Sequence, residues 1–215
     1  MRARLYMVGV GGQGTLTAAR VLGEAALAAD LNVIISEVHG MAQRGGVVET
    51  AILIGQVHSP LIGDGEADVL MGFEPLETLR ALSKASRHTW VITNTKPIIP
   101  STVKLGQGQY PDLREILSRI RSSAGSVIAL NAEDLAQQAG ALIAANMVML
   151  GALVATEQLP FPGEHVRDAI TRLSPRYAAI NLKAFELGKA YVIQHQEEPD
   201  DGWDRIRAGR ASQAA

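Results

Sequence analysis

An apolar run from Leu5 to Val10 leads directly into the glycine-rich sequence Gly9-Val10-Gly11-Gly12-Gln13-Gly14, and a helical pattern follows it. The apolar residues of that pattern recur every three or four positions, at Leu16, Ala19, Leu22, Ala26 and Ala29. A buried strand, a glycine turn and a helix over 12–29 are therefore predicted as the first unit of an α/β fold. The backbone amides of the turn should point at whatever lies above the edge of the sheet.

A second glycine-rich stretch starts one strand later. Asn32 to Ser36 is short and rich in β-branched residues, which predicts a second buried strand. We expect this strand to run parallel to the first because a helix connects the two. The stretch that follows reads Ser36-Glu37-Val38-His39-Gly40-Met41-Ala42-Gln43-Arg44-Gly45-Gly46. It leaves the sheet at the edge where Gly11 and Gly12 lie, so the two loops are expected to meet on one rim.

The remaining strands predict a mixed sheet. Val47 to Ile54 alternates and is followed by Gly55-Gln56 and a shorter run, Val57 to Ile62, a pattern typical of a hairpin with at least one antiparallel strand. Further core strands are predicted at Val69–Phe73, His88–Asn94 and Ser126–Leu130. Helices are predicted to start at Glu74-Pro75, to run from Asp112 to Arg121, to follow Asn131 as N-cap, to span Glu164–Leu173 and to start at Pro175. The segment from Lys96 to Gln109 is rich in proline and glycine and is expected to be irregular.

The segment from Ala139 to Ala155 carries no charged residue and has about the minimum length for a membrane span. It contains Asn146, two glycines and many alanines, and it lacks flanking basic residues and an aromatic belt. A buried core or interface helix is therefore favoured over a membrane-spanning one.

The composition excludes several functions. With 215 residues, 47% of them hydrophobic, the chain is expected to form a single domain over 1–195, followed by a polar tail, 196–215, expected to be mobile or partner-bound. It has no cysteine, so it cannot bind an iron–sulfur cluster through thiolates or use a thiol nucleophile. A net charge of -2 without a basic run argues against nucleic-acid and membrane partners. The N-terminus lacks the pattern of a signal peptide, so a cytoplasmic location is expected.

Gly9, Gly11 and Gly14 match the G-x-G-x-x-G pattern of dinucleotide sites, and Glu37 follows Gly14 by 23 positions at the end of the second strand. A tight turn that binds no nucleotide explains the pattern equally well. In the second loop, His39, Met41, Gln43 and Arg44 fill the region that adenine needs, which favours a docking surface over a nicotinamide pocket.

The roles of two residues in that loop stay open at this point. His39 could act as an acid, a base or a metal ligand, although a structural or interface role is favoured because no second His or carboxylate accompanies it at metal-ligand spacing. Arg44 could bind a phosphate or a carboxylate, or pair with Glu37.

Read together, Val8–Gly14 and Ser36–Gly46 closely resemble the gamma-type subunits of the 2-oxoacid:ferredoxin oxidoreductases, and most closely the beta subunit of the indolepyruvate:ferredoxin oxidoreductases. The resemblance extends from residue 5 to about residue 190. Further matching motifs are Gly72-Phe-Glu-Pro-Leu-Glu77, Asn94-Thr95 with Pro97, Asn146-Met-Val-Met-Leu-Gly151 and Asn181-Leu-Lys-Ala-Phe-Glu-Leu-Gly188. Such a resemblance implies a three-layer α/β/α Rossmann-like domain with a mostly parallel mixed sheet.

The resemblance also implies a function. The complex would oxidatively decarboxylate an aryl 2-oxoacid such as indolepyruvate, join the acyl group to coenzyme A and reduce ferredoxin. Thiamine diphosphate and the iron–sulfur clusters would belong to a large partner subunit, so this chain would hold no cofactor or metal alone and would be inactive in isolation. The candidate rim for the partner's active site or coenzyme A consists of Gly9, Gly11, Gly12, Gln13, Gly14, Ser36, Glu37, His39, Gly40, Met41, Gln43, Arg44, Gly45 and Asn94, and no catalytic residue is assigned. The alternatives are a free-standing oxidoreductase that binds NAD(P) or FAD, and a non-catalytic Rossmann-like scaffold.

Overall fold

The computed structural model describes residues 2–40, 46–57 and 59–196. Its six strands form one sheet in the order β2-β3-β1-β4-β5-β6. The strands are β1 (Arg2–Val10), β2 (Val33–His39), β3 (Val47–Gly55), β4 (Val69–Gly72), β5 (Trp90–Asn94) and β6 (Ser126–Leu130). The helices are α1 (Thr15–Ala28), α2 (Pro75–Arg80), α3 (Ser101–Lys104), α4 (Leu113–Ser123), α5 (Ala132–Ala139), α6 (Ala145–Ala155), α7 (Glu164–Leu173) and α8 (Ala178–Gln196).

The sheet is mixed, as predicted. β1, β4, β5 and β6 pair in parallel, with Met7 opposite Met71, whereas β3 is antiparallel to both β1 and β2. Since β3 opposes both neighbours, β2 runs in the same direction as β1, and this part of the prediction is confirmed. The glycine turn after β1 and the loop after β2 therefore leave the sheet at the same edge.

The predicted hairpin between Val47–Ile54 and Val57–Ile62 is wrong. β3 forms its hairpin with β2, and its other edge is paired with β1, so β3 has no free edge for a further strand. Val57 and residues 59–62 are not in a strand, and Pro60 lacks the amide that a ladder needs. The alternating pattern identified the strand correctly but could not identify its partner.

Two layers of helices cover the sheet. Alternation along β1 places Leu5 and Met7 on one face, in a core with α1, α5, α6, α7 and α8, and Tyr6 and Val8 on the other face, in a core with α4 and the end of α2. This confirms the three-layer α/β/α architecture.

The uncharged segment forms a buried helix, as favoured by the sequence, but the helix is shorter than the segment. α5 ends at Ala139, where Gly140 adopts φ 119, and α6 begins only at Ala145. Residues 146–153 of α6 are all buried. Within the residues that the structure describes, no helix is long and apolar enough to cross a membrane.

Two glycines allow α6 to lie directly against α8. A Cβ on Gly151 would clash with the carbonyl oxygen of Phe185, and a Cβ on Gly188 would clash with that of Val148. This helix pair holds the start of α6, and thereby Asn146, beside the glycine turn.

Candidate functional site

An open cleft of about 1180 Å³ lies where β1, β4 and β5 end. Its walls come from the glycine turn, the start of α1, the ends of β4 and β5, the beginnings of α5 and α6, and residues 174–181. The carboxyl ends of parallel strands are the usual place for a ligand in an open α/β sheet. The cleft is therefore the candidate site.

The glycine turn forms one wall of the cleft. Gly12 has φ 100 and open space where a side chain would lie, whereas a Cβ on Gly14, at φ 80, would come within 2.5 Å of Asn146 Nδ2. Asn146 in turn donates to the Gly14 carbonyl oxygen over 3.2 Å. Gly14 is also the N-cap residue of α1, and no side chain caps that helix. The first amides of a 14-residue helix thus face the cleft without a protein cap, an arrangement that attracts anions.

The two predicted loops do meet on one rim. The Gly11 amide donates to the Gly46 carbonyl oxygen over 2.9 Å, and His39 lines the same cleft as the glycine turn. This contact commits the Gly11 amide to the protein, so Gly11 cannot donate to a ligand from its backbone. Met41, Gln43, Arg44 and Gly45 lie outside the described residues.

Of the 14 candidate rim residues, the structure brings six to the cleft: Gly11, Gly12, Gln13, Gly14, His39 and Asn94. Gly9 lies inside β1, where a Cβ would crowd Gln13 and Phe73, so its role is structural. Ser36 pairs with Ala51 on the opposite face of the sheet, away from His39. Gly40 closes the β2–β3 hairpin by donating to the Val47 carbonyl oxygen over 2.9 Å.

Gln13 and Asn94 line the cleft, and the side-chain amide of each one hydrogen-bonds to the protein backbone. Gln13 Nε2 donates to the Phe73 carbonyl oxygen over 2.7 Å, and its Oε1 accepts from the Val10 amide over 2.8 Å. Asn94 Nδ2 donates to the same Phe73 oxygen, while its Oδ1 accepts from the amides of Lys96 and Ala132. Both residues therefore shape the cleft by joining the ends of β1, β4 and β5.

The position of Glu37 argues against the dinucleotide alternative. In the dinucleotide fingerprint the acid ends the strand next to the glycine turn. Here β3 lies between β1 and β2, so Glu37 is displaced from β1 by two strand spacings, about 10 Å. Its carboxylate lies 3.5 Å from His39 Nε2, and its side chain faces a separate groove beside α1.

Several residues outside the predicted rim also line the cleft. Leu142, Ile143 and Tyr177 expose 56%, 86% and 56% of their surface at its rim, next to Leu16 at 40%. Leu16 belongs to the apolar pattern that predicted α1, but the buried side of α1 includes Ala18, Ala19, Leu22, Ala25 and Ala26 and leaves Leu16 exposed. In the sequence, the polar Asn146 within the uncharged segment 139–155 is the signal that this segment contributes to a site.

The electrostatics of the cleft rest on backbone dipoles. Within the described part of the chain, its lining includes one acid, Glu133, and neither lysine nor arginine. At the base of the glycine turn, the Thr15 hydroxyl is buried without a hydrogen-bond partner. No group of three or more His, Asp or Glu side chains among the described residues could hold a metal ion.

Two buried acids lie just beyond the end of β4. Glu74 is 1% exposed and caps α2 by accepting from the Glu77 amide over 3.0 Å. Glu77 is 6% exposed and pairs with Arg80 over 2.7 Å. Burial raises the pKa of the Glu77 carboxyl, and the charge of Glu74 adds to that rise, against the opposing effect of Arg80.

Comparison with known proteins gives a consistent family. Residues 4–191 match the family model "Pyruvate ferredoxin/flavodoxin oxidoreductase". The chain is 47% identical over 189 residues to the indolepyruvate oxidoreductase subunit IorB of Methanothermobacter thermautotrophicus, covering 87% of this chain and 96% of the relative. It is 44% identical over 194 residues to the IorB subunit of Archaeoglobus fulgidus, covering 90% and 96%.

Two solved structures share the fold. One is the gamma subunit of a keto/oxoacid ferredoxin oxidoreductase from Geobacter sulfurreducens, with a TM-score of 0.64 at 22% identity, covering 89% of this chain and 99% of that one. The other is the 2-oxoglutarate:ferredoxin oxidoreductase from Magnetococcus marinus, solved with 2-oxoglutarate, coenzyme A and succinyl-CoA bound, with a TM-score of 0.67 at 20% identity. The match covers 90% of this chain but 31% of that one, so there the fold is part of a longer chain.

Proposed function

The chain belongs to the pyruvate ferredoxin/flavodoxin oxidoreductase family, and we propose that it is the small subunit of a complex that oxidises indolepyruvate or a related aryl 2-oxoacid with ferredoxin as electron acceptor. The observation that carries the proposal is the 47% identity to an indolepyruvate oxidoreductase subunit over almost the whole length of that subunit. In the overall reaction, the 2-oxoacid loses CO₂, its acyl group is joined to the coenzyme A sulfur, and the two electrons released reduce ferredoxin.

The partner is a large subunit that carries the redox chemistry. Thiamine diphosphate on that subunit would supply the decarboxylation chemistry, and its iron–sulfur clusters would carry the electrons. The absence of cysteine from this chain supports the division, because iron–sulfur clusters are held mainly by cysteine thiolates. We therefore expect the isolated chain to be inactive.

We assign the apolar rim of the cleft to the large partner. The apolar rim consists of the exposed side chains of Leu16, Leu142, Ile143 and Tyr177. Exposed apolar side chains that cluster at one site usually mark an interface.

The cleft is the proposed binding site for a phosphate group of coenzyme A. The uncapped amides at the start of α1 would face the phosphate, with Gly12 leaving open space for close approach. The residues of this chain would bind and orient the co-substrate, while the wall formed by Phe73 and Ile98 would keep water from one side.

Calorimetric titration of the assembled complex with coenzyme A tests this site through Gly12→Asp, with Gly12→Asn as the matched control. Both variants place a side chain of the same size at φ 100, so both carry the same backbone strain, but only Asp adds a negative charge. We expect Asp to weaken binding at least tenfold more than Asn. Equal affinities of both folded variants and the wild type would contradict a phosphate site at this turn.

A free-standing dehydrogenase remains the alternative to exclude. It would bind NAD(P) or FAD tightly as an isolated chain, and the displacement of Glu37 by β3 speaks against it. Titration of the isolated chain with NADH and FAD, followed by fluorescence, separates the two functions.

A further inference from the structure

The buried carboxylate of Glu74 joins three parts of the chain. Its Oε2 accepts from the Glu77 amide and so caps α2. Its Oε1 accepts from the Ile98 amide over 3.2 Å and from the Tyr110 hydroxyl over 2.6 Å. Capping needs one oxygen only, and a serine or aspartate is the commoner choice. The second oxygen therefore serves a different purpose.

That purpose concerns the strap, which we define as residues 95–110. Apart from the single turn α3, the strap has no regular secondary structure, and most of its residues are exposed or half-buried. The Thr95 amide joins its start to the Leu130 carbonyl oxygen over 2.9 Å. Glu74 Oε1 holds the strap at two further points that are twelve residues apart, Ile98 and Tyr110.

The contact with Glu74 matters for the cleft because Ile98 lines it. The neighbouring residues Phe73 and Asn94 line it as well and are fixed by their own hydrogen bonds. Beyond Lys96, whose amide bonds to Asn94, the strap is irregular, and Glu74 accepts the hydrogen bond from the Ile98 amide. The position of this part of the wall therefore depends on the bond from the Ile98 amide to Glu74.

We propose that Glu74 is a positioning residue for coenzyme A binding: its carboxylate holds the strap so that Ile98 completes the wall of the cleft. The inference rests on the proposed function, since it assumes that coenzyme A occupies the cleft. Glu74 itself does not line the cleft and does not touch the ligand. Loss of the contact should therefore weaken binding of coenzyme A and leave the chemical steps on the partner subunit unchanged.

Tyr110→Phe removes the second bond from the strap to Glu74 and leaves the cap of α2 and the Ile98 bond intact, so it tests the Tyr110 contact alone. Glu74→Gln is the second variant, and the double variant tests whether both act through the same contact. Glu77→Gln is the matched control: Glu77 is a buried acid in the helix that Glu74 caps, and its carboxylate pairs with Arg80 instead of the strap.

The experiment measures the KM for coenzyme A and kcat of the assembled complex, together with amide hydrogen exchange over the glycine turn and residues 95–110, with and without coenzyme A. Glu74→Gln, which removes the charge that holds both Ile98 and Tyr110, should raise the KM about tenfold, and Tyr110→Phe should raise it by a smaller factor, with kcat within about twofold of the wild type in both. Exchange of the strap should rise in Tyr110→Phe and Glu74→Gln, and neither quantity should change in Glu77→Gln. The double variant should resemble the stronger single variant.

Three results would overturn the inference. The first is an unchanged KM for coenzyme A in Tyr110→Phe and Glu74→Gln. The second is an equal rise of this KM in Glu77→Gln, which would indicate general destabilisation. A wild-type complex whose glycine turn gains no protection from coenzyme A would overturn both the cleft assignment and the inference that rests on it. If coenzyme A protects the glycine turn but the KM is unchanged in Tyr110→Phe and Glu74→Gln, the role of Glu74 is wrong and the cleft assignment stands.

Discussion

Gln13 and Asn94 donate their side-chain amides to a single acceptor, the Phe73 carbonyl oxygen, over 2.7 and 3.1 Å. The three residues follow or end β1, β5 and β4, so one oxygen joins the ends of three adjacent strands. Both residues lie in the motifs on which the family resemblance rests, and each amide group already bonds to the backbone. Their contribution to the cleft is to fix its floor.

The two amides should differ in their effect on stability. Asn94→Ala should lower the free energy of unfolding by about 3 kcal/mol and Gln13→Ala by about 1.5 kcal/mol, because Asn94 satisfies two backbone amides, those of Lys96 and Ala132, whereas Gln13 satisfies only that of Val10. Urea unfolding followed by circular dichroism measures both. Equal losses would contradict the wider role of Asn94.

The close packing of α6 and α8 should tolerate no side chain at its contact points. Gly188→Ala should destabilise the protein by about 3 kcal/mol or more, because the added methyl group would meet the Val148 carbonyl oxygen. Gly11→Ala is the control, since its Cβ would lie 3.7 Å from the nearest heavy atom, and thermal unfolding compares the two. A Gly188→Ala protein as stable as Gly11→Ala would show that the helices can move apart.

Glu77 should make stability depend on pH in an unusual direction for an acid. Its pKa is raised from the usual 4.5, chiefly by burial, so the native state holds the proton more tightly than the unfolded chain does. The stability that this proton contributes is complete below the unfolded pKa and is lost as the pH rises through the folded pKa.

Glu77→Gln removes this titration. Its free energy of unfolding, relative to the wild type, should therefore increase between pH 4 and pH 7. Urea unfolding at several pH values measures the difference. A difference that stays constant, or decreases as the pH rises, would mean that the pair with Arg80 outweighs burial.

The apolar rim should be needed for assembly but not for folding. Ile143→Lys should weaken binding of the large partner at least tenfold while leaving the unfolding temperature unchanged, because 86% of the Ile143 surface is exposed. Leu105→Lys is the matched control, since Leu105 is 75% exposed and does not line the cleft. Surface plasmon resonance with the large subunit immobilised compares the two, and equal affinities would remove the rim from the interface.

The sequence predicted those parts of the fold that depend on local pattern. Alternation and glycine spacing identified β1, the turn and α1, and Asn131 caps α5 as expected, accepting from the Asp134 amide over 3.2 Å. The pairing of β3 was missed because strand partners depend on which edges are free, and this is a property of the whole sheet. The same limit hid the insertion of β3 between β1 and β2, which moves Glu37 away from the turn.

Sequence motifs selected two loops that line the cleft, but they did not predict the hydrogen bonds within it. Motif matching selected Gly12, Gly14 and His39, which do line the cleft. It could not show that the Gly11 amide bonds to Gly46, or that Gln13 and Asn94 share one acceptor, because both facts require coordinates. Glu74 lies in the Gly72–Glu77 motif, but its bonds to Ile98 and Tyr110 span 24 and 36 residues, so no local sequence pattern predicts them.

The central claim is that this chain acts as one subunit of a 2-oxoacid:ferredoxin oxidoreductase. The most direct test measures indolepyruvate-dependent and coenzyme A-dependent reduction of ferredoxin by this chain alone, by the large subunit alone and by the two combined. We predict full activity from the combination and less than about a hundredth of it from this chain alone, since a group that carries out the chemistry typically supplies several kcal/mol. Ferredoxin reduction by this chain alone, or full activity of the large subunit without it, would contradict the account.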